Sequence, residues 1–188
     1  MCYYIIDKLS CAIYLGACVE LLDGGIMEKS LLIVGAGQYA YVVYDIASAL
    51  GYEKISFVDD VSEVAIGKIA DIERLAHAYS HGVVAIGNPT LRRELTERLL
   101  SCGYTVPVLI HPLGYASSSA RLGAGVIVEP NATVQANAVI GQGSIISSGA
   151  VVRHNGVVGE YCHCDCGSVV MSGSVLADGT KIEVGKIY

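Results

Sequence analysis

Between Glu160 and Gly167 the chain reads EYCHCDCG, with three cysteines, a histidine and an aspartate inside five consecutive residues. Thiolate, imidazole and carboxylate are the groups that zinc takes, and closely spaced thiols can also form a redox centre. Nine residues before His163 stands a second histidine, His154, followed by Asn155. An imidazole in that position can act as a general base. Near the other end of the chain, Gly35-Ala36-Gly37-Gln38-Tyr39-Ala40 has the GxGxxA spacing of a glycine turn in a β-α-β unit, and Asp59 follows the next apolar run. The backbone that carries each residue decides which of these chemistries is open to it.

The back half of the chain keeps a six-residue beat. Leu122, Val128, Val134, Ile140, Ile146, Val152, Val158, Cys164, Val170, Leu176 and Ile182 follow one another without slippage, and ten of the eleven are aliphatic. Counting each hexad from that residue, the fifth position is small or β-branched everywhere except Lys186. The fourth is Gly or Asn everywhere except Tyr161. Period 2 would mark an antiparallel strand and period 3.6 a helix; a sustained period of six marks a β-helix of hexapeptides. Its first and fifth residues face a narrow interior, and its fourth takes the left-handed conformation that Gly and Asn tolerate. Three hexads make a coil, so the register from Leu122 predicts about three and a half coils. On this lattice Cys164 and Cys162 point inward as small hydrophobes. His163 points outward, and Asp165 with Cys166 lies on the next side. Such side chains cannot converge on one ion, so no metal site is expected.

The front half has a different rhythm. LLIVG, AGQYAYVVYDIASALGY and KISFVDD read as strand, helix and strand. A helical stretch around IADIERLAHAY, a strand GVVAIG, a helix NPTLRRELTERLLSCG and a last strand VPVLI follow. Alternation of this kind predicts a small, doubly wound, Rossmann-like parallel sheet. The expected organisation is an N-terminal extension over 1–26, a Rossmann-like domain over 27–113 and a β-helix over 114–188. The charged run RRELTER reads as a solvated helix face, and His111, His77 and His81 as surface or linking residues.

A net charge of −6 with scattered Lys and Arg argues against nucleic acid as a partner, and no apolar run is long enough to span a membrane. Residues 1–26 make a poor secretory signal, because Asp7 precedes the only basic residue, Lys8, and no clear cleavage site follows. They read instead as a helical extension or a start-site artefact ahead of Met27. Seven cysteines, an odd and uneven set, suit reduced thiols, and a cytoplasmic location is expected.

With IVGAGQYA, FVDD and AIGN upstream and RHNGVVGEYCH inside the repeats, the chain from Ser30 to about Tyr188 resembles the NeuD/PglD-type sugar acetyltransferases. These belong to the left-handed β-helix acyltransferases. The resemblance implies an acetyl-CoA-dependent enzyme that acetylates an amino group of a nucleotide-linked sugar or a hydroxyl of sialic acid, for surface-polysaccharide or glycan synthesis. It implies a homotrimer with the donor between neighbouring β-helices, and no metal. Carried over by position, the catalytic histidine falls on His154 with Asn155 beside it, and acetyl-CoA contacts fall on His163 and Val184. Nucleotide-sugar contacts fall on Gly37, Gln38, Tyr39, Asp59, Asp60 and Gly87. The glycine turn suits a diphosphate at a helix N-terminus, and a carboxylate at the position of Asp59 can accept from base or ribose.

Two features depart from the family. Asn155 stands where a carboxylate usually follows the histidine, and the family chain runs on for further coils that complete the coenzyme pocket. A non-catalytic trimeric protein that binds sugar nucleotides is therefore the alternative. A nicotinamide oxidoreductase would rest on GxGxxA and Asp59 alone and would leave the repeats without a role. Ile127, Val139, Ile145, Val151, Val157, Val169 and Val175 form an outward apolar row at the sixth positions, which invites burial against copies of the chain.

Overall fold

The structure, a computed structural model, describes residues 29–188. The extension over 1–26, its cysteines Cys2, Cys11 and Cys18, and the start expected at Met27 lie outside the described residues. The fold is a Rossmann-like α/β unit followed by a left-handed parallel β-helix.

Strands β1 (Ser30–Val34), β2 (Lys54–Val58) and β3 (His81–Val84) form a parallel sheet in the order β2-β1-β3. The central strand is apolar at consecutive positions because both its faces are covered. Leu31 and Ile33 pack with helix α1 (Gln38–Ala49), while Leu32 and Val34 pack with α2 (Ile72–Leu75) and α3 (Pro89–Ser101). Helix α1 buries Ala40, Val43, Ile46 and Ala47 along one stripe. Helix α3 starts at Asn88, whose side chain accepts from the Leu91 amide at 3.0 Å, with Pro89 at the first helical position.

Two expectations fail here. The stretch IADIERLAHAY forms only a 3-10 turn (Ile69–Asp71) and the single turn of α2. The chain leaves the helical path after Leu75 and buries Tyr79, whose hydroxyl donates to Ser56 Oγ at 2.7 Å. The segment VPVLI does not extend the sheet. Its Leu109–Ile110 (β4) pairs with Ile127–Val128 (β7), so β4 opens the β-helix thirteen residues before Leu122. Just ahead of this segment Thr105 forms an isolated bridge with His81 of β3, and Val106 and Leu109 pack in the same apolar clusters as Val84 and Val83.

From β4 to β16 (Lys181–Ile182), two-residue strands recur every six residues and stack into three walls. The result is just over four coils rather than three and a half. The first wall carries β4, β7, β10 (Ile145–Ile146), β13 (His163–Cys164) and β16. The second carries β5 (Tyr115–Ala116), β8 (Thr133–Val134), β11 (Val151–Val152) and β14 (Val169–Val170). The third carries β6 (Arg121–Leu122), β9 (Val139–Ile140), β12 (Val157–Val158) and β15 (Val175–Leu176). Every fourth position from Gly125 to Gly185 has positive φ, including Asn155 at 56° and Tyr161 at 54°. The tube is filled by the first and fifth positions, from Val126 and Val128 to Ile182.

Helix α1 is sandwiched, with the sheet on one side and Leu109 and Ile127 of the first wall on the other. The outward apolar row is therefore not one free surface. Ile127 and Ile145 are each 1% exposed, whereas Val139, Val151, Val157, Val169 and Val175 on the second and third walls remain at least partly open.

Candidate functional site

The cysteine cluster resolves into filling. Cys162 and Cys164 are buried inside the tube, Cys166 is exposed at a corner, and His163 stands on the outer face of the first wall. Burial pushes the Cys164 thiol up to about 12, which keeps it protonated and inert. Among the described residues, no three His, Cys, Asp or Glu side chains gather closely enough to hold a metal ion.

His154 lies on the corner between the second and third walls and is exposed. Its backbone amide donates to Gln135 Oε1 at 3.1 Å, and its Nε2 lies 3.0 Å from Ser172 Oγ in the next coil. Its Nδ1 lies 3.1 Å from Asn155 Nδ2, so the neighbouring amide occupies the side where a carboxylate would orient the ring. Asn155 reaches back because the positive φ of the fourth position turns the chain sharply there.

His163 is half-buried on the first wall, with Nε2 3.0 Å from Ser147 Oγ. Burial is the main influence lowering its pKa below the usual value, and Asp165 and Glu129 pull in the opposite direction. In a three-walled prism, the corner between the second and third walls lies across the tube from the first wall. His154 and His163 therefore face opposite ways in one chain. Val184, also assigned to the coenzyme, is 64% exposed on a corner of the last coil.

The remaining positions gather at the C-terminal ends of β1, β2 and β3. Helix α1 runs to one side of the sheet and α3 to the other, so the turns holding Gly37 and Gly87 flank the switch point where ligands bind in such sheets. Gly35 has φ of 104°, and a Cβ there would meet Ile86 and the Ala85 carbonyl near 3 Å. Among the described residues, nothing fills the space beside Gly37 and Gly87, and no side chain caps the start of α1. Asp59 acts largely within the chain. It accepts from the amides of Val61 and Ser62 at 2.9 Å and of Ala36 at 3.0 Å, and the first two of these bonds are the main influences lowering its pKa. Asp60 accepts from the Ile69 amide at 3.1 Å and is exposed. The Tyr39 hydroxyl is buried and has no hydrogen-bond partner among the described residues. Glu129 stands close by, outside bonding geometry, and adds to burial in raising the Tyr39 pKa.

Sequence reasoning missed Arg92. Far from lying on a solvated face, it is 2% exposed and carries its guanidinium into the seam between the two halves. Nη1 donates to the carbonyls of Ile86 and Gly87 at 2.8 and 2.9 Å, and Nε donates to the Gly143 carbonyl at 2.8 Å. Its neighbour Arg93 pairs with Glu160 at 2.9 Å and lies over the Tyr161 ring. The signal was its spacing, since Arg92 shares one helical stripe with Leu95 and Leu99.

A family profile described as PglD N-terminal domain matches residues 30–99, and one described as bacterial transferase hexapeptide (six repeats) matches 119–154. No curated protein sequence matches significantly. Among solved structures, the chain is similar to the acetyltransferase domain of PglB from Neisseria gonorrhoeae. That match has 28% identity and a TM-score of 0.78, over 85% of this chain and 91% of that one. The same domain in complex with acetyl coenzyme A matches at 28% identity and TM-score 0.63, over 82% and 95%. A histidine-to-asparagine mutant of perosamine N-acetyltransferase from Caulobacter crescentus, in complex with CoA and GDP-perosamine, matches at 25% identity and TM-score 0.68, over 84% and 90%. Among the described residues, no helix is long and apolar enough to cross a membrane.

Proposed function

We propose that the chain, which is similar to the acetyltransferase domain of PglB and to a perosamine N-acetyltransferase, is a NeuD/PglD-type sugar acetyltransferase that moves acetyl from acetyl-CoA to an amino group of a nucleotide-linked sugar. The observation that carries this reading is the pairing of a sheet-end crevice with a hexapeptide β-helix whose corner presents His154. The choice of an amine over a hydroxyl follows the similarity to the perosamine N-acetyltransferase.

In this reading the nucleotide diphosphate lies at the uncapped N-terminus of α1, over Gly37 and Gln38, with Gly87 and Asp60 bordering the crevice. The acceptor amine attacks the thioester carbonyl while His154 takes its proton. General base catalysis of this kind is worth roughly 10²–10⁴-fold, and positioning of the two substrates supplies much of the rest. To act through Nε2, the ring must carry its other proton on Nδ1. That requires Asn155 to present its amide oxygen, an orientation that a flip of the amide provides.

Acetyl-CoA requires a second wall beside the first. His163 and His154 share a site only if the corner of one chain meets the first wall of another, which three copies around an axis satisfy. The half-open valines of the second and third walls are the surfaces such a homotrimer would cover. The test is thiol release from acetyl-CoA with a panel of amino-sugar nucleotides. Turnover that His154→Ala cuts at least tenfold supports the reading. Binding of a sugar nucleotide with no acetyl transfer overturns it.

A further inference from the structure

Where the first wall turns into the second lies a row of polar side chains that neither the crevice nor His154 explains. Glu129 is 6% and Ser147 3% exposed. Three donors converge on the Glu129 carboxylate. The Ser148 amide and hydroxyl reach Oε2 at 2.9 and 3.0 Å, and the Ser147 hydroxyl reaches Oε1 at 3.2 Å. Ser147 Oγ also lies 3.0 Å from His163 Nε2. A hydroxyl has a single proton, and Ser147 gives it to Glu129. Toward His163 it offers only a lone pair, so the proton in that contact comes from the ring.

We propose that Glu129, acting through Ser147, is a positioning residue that holds His163 as its Nε2–H tautomer, leaving Nδ1 to accept a hydrogen bond from an N–H group of bound coenzyme or acceptor. Nδ1 has no hydrogen-bond partner among the described residues, which leaves it available. Burial keeps His163 below the ordinary imidazole pKa, so the neutral ring to which this proton count applies is the form present at neutral pH. His163 would then orient the amide-bearing arm of the coenzyme instead of donating to the thioester oxygen. The choice of ligand rests on the acetyl-transfer reading; the tautomer is a property of the folded chain alone.

Glu129→Gln tests the relay because it keeps the shape and changes the proton count. The amide oxygen must face the two donors of Ser148, which turns the NH₂ group toward Ser147. Ser147 then receives a proton and passes its own to His163 Nε2, inverting the ring to Nδ1–H. Nitrogen-resolved NMR of the full chain with labelled histidine, assigned by His163→Gln, reads this directly. We expect Nε2–H in the parent, Nδ1–H in Glu129→Gln and a mixture in Ser147→Ala. Nδ1–H in the parent, or an unchanged tautomer in a folded Glu129→Gln protein, overturns the relay. If Glu129→Gln does not fold, Ser147→Ala decides: a mixed tautomer supports the relay and a pure Nε2–H overturns it. In the thiol-release assay, Glu129→Gln should raise KM for acetyl-CoA about tenfold, with less effect on kcat, for one lost acceptor bond. A parent that shows the tautomer but transfers no acetyl supports the relay and overturns the functional reading.

Discussion

The Arg92 guanidinium donates from Nη2 to the Tyr161 carbonyl at 2.7 Å, joining helix α3 to a corner of the β-helix. The same side chain holds the carbonyls of Ile86, Gly87 and Gly143, and among the described residues no carboxylate pairs with it. Within the described residues its charge is met by peptide dipoles. Because two of those carbonyls belong to the turn after β3, the clamp that joins the halves also shapes the candidate sugar crevice.

Arg92→Met should therefore cost about 3 kcal/mol or more, since each buried acceptor left unpaired costs roughly 1–3 kcal/mol. Arg92→Lys should recover part of the loss, as one ammonium can serve some of the carbonyls but not the whole fan. Denaturant midpoints measure both. A Met variant as stable as the parent would show that the seam holds without the clamp.

Tyr161 occupies a left-handed position filled by Gly or Asn in every other hexad from Leu122, at a conformational cost of roughly 1–2 kcal/mol. The ring offsets that cost. It is 2% exposed, packs over Gly143 where a Cβ would collide with it, accepts from Gln142 Nε2 at 2.7 Å and lies 4.4 Å from the Arg93 guanidinium. Tyr161→Gly removes the strain and the packing together. The packing term, roughly 3–5 kcal/mol for a buried aromatic, is the larger, so a net loss of about 2 kcal/mol is expected. Chemical denaturation that finds Tyr161→Gly more stable would reverse that ranking.

Two inward serines of the tube should respond oppositely to alanine. Ser144 Oγ donates to the Gly159 carbonyl at 2.8 Å and accepts from the Cys162 amide at 2.9 Å, whereas the buried Ser168 hydroxyl has no partner among the described residues. Ser168→Ala removes an unsatisfied group and should stabilise by about 1 kcal/mol, a Tm rise of roughly 2–4 °C. Ser144→Ala should lower Tm by at least as much. Shifts of the same sign in thermal unfolding would contradict the account.

These residues also mark how far the sequence could be read. A narrow tube admits only small or aliphatic side chains at two positions in six, so the register from Leu122 onward is plain. Its first two hexads escaped notice because Leu113 and Ser119 stand where Gly or Asn marks the later turns, and neither has positive φ. The glycine turn and the strands on either side of it were legible from apolar runs and their spacing. Arg92 and Glu129 were not, because a charged side chain in a polar run reads as solvated until the other half of the molecule covers it. The covering of Ile127 by α1 is a tertiary fact of the same kind.

The amide beside His154 offers a direct test of the base. Asn155 can point nitrogen or oxygen at Nδ1, and only the oxygen leaves Nε2 unprotonated in the neutral ring. Asn155→Asp removes the choice and adds a charge that raises the basicity of the ring. We expect kcat to rise about tenfold, equivalent to roughly 1.4 kcal/mol at the barrier. Aspartate at the fourth position tolerates positive φ, so the fold should persist. A folded Asp variant with unchanged kcat would separate His154 from proton transfer.

Complementation tests whether neighbouring chains share the two histidines. His154→Ala and His163→Ala proteins should each be impaired alone, because every intersubunit site lacks one imidazole. In a cyclic trimer assembled at random from equal amounts of both, a site is complete when a His163→Ala chain supplies His154 and the next, His154→Ala, chain supplies His163. That occurs at about one site in four, so co-expression should restore roughly a quarter of the parent turnover. If both histidines served within one chain, every subunit would remain defective and mixing would restore nothing. The geometry favours the first outcome, because the corner bearing His154 and the wall bearing His163 lie on opposite sides of the same tube.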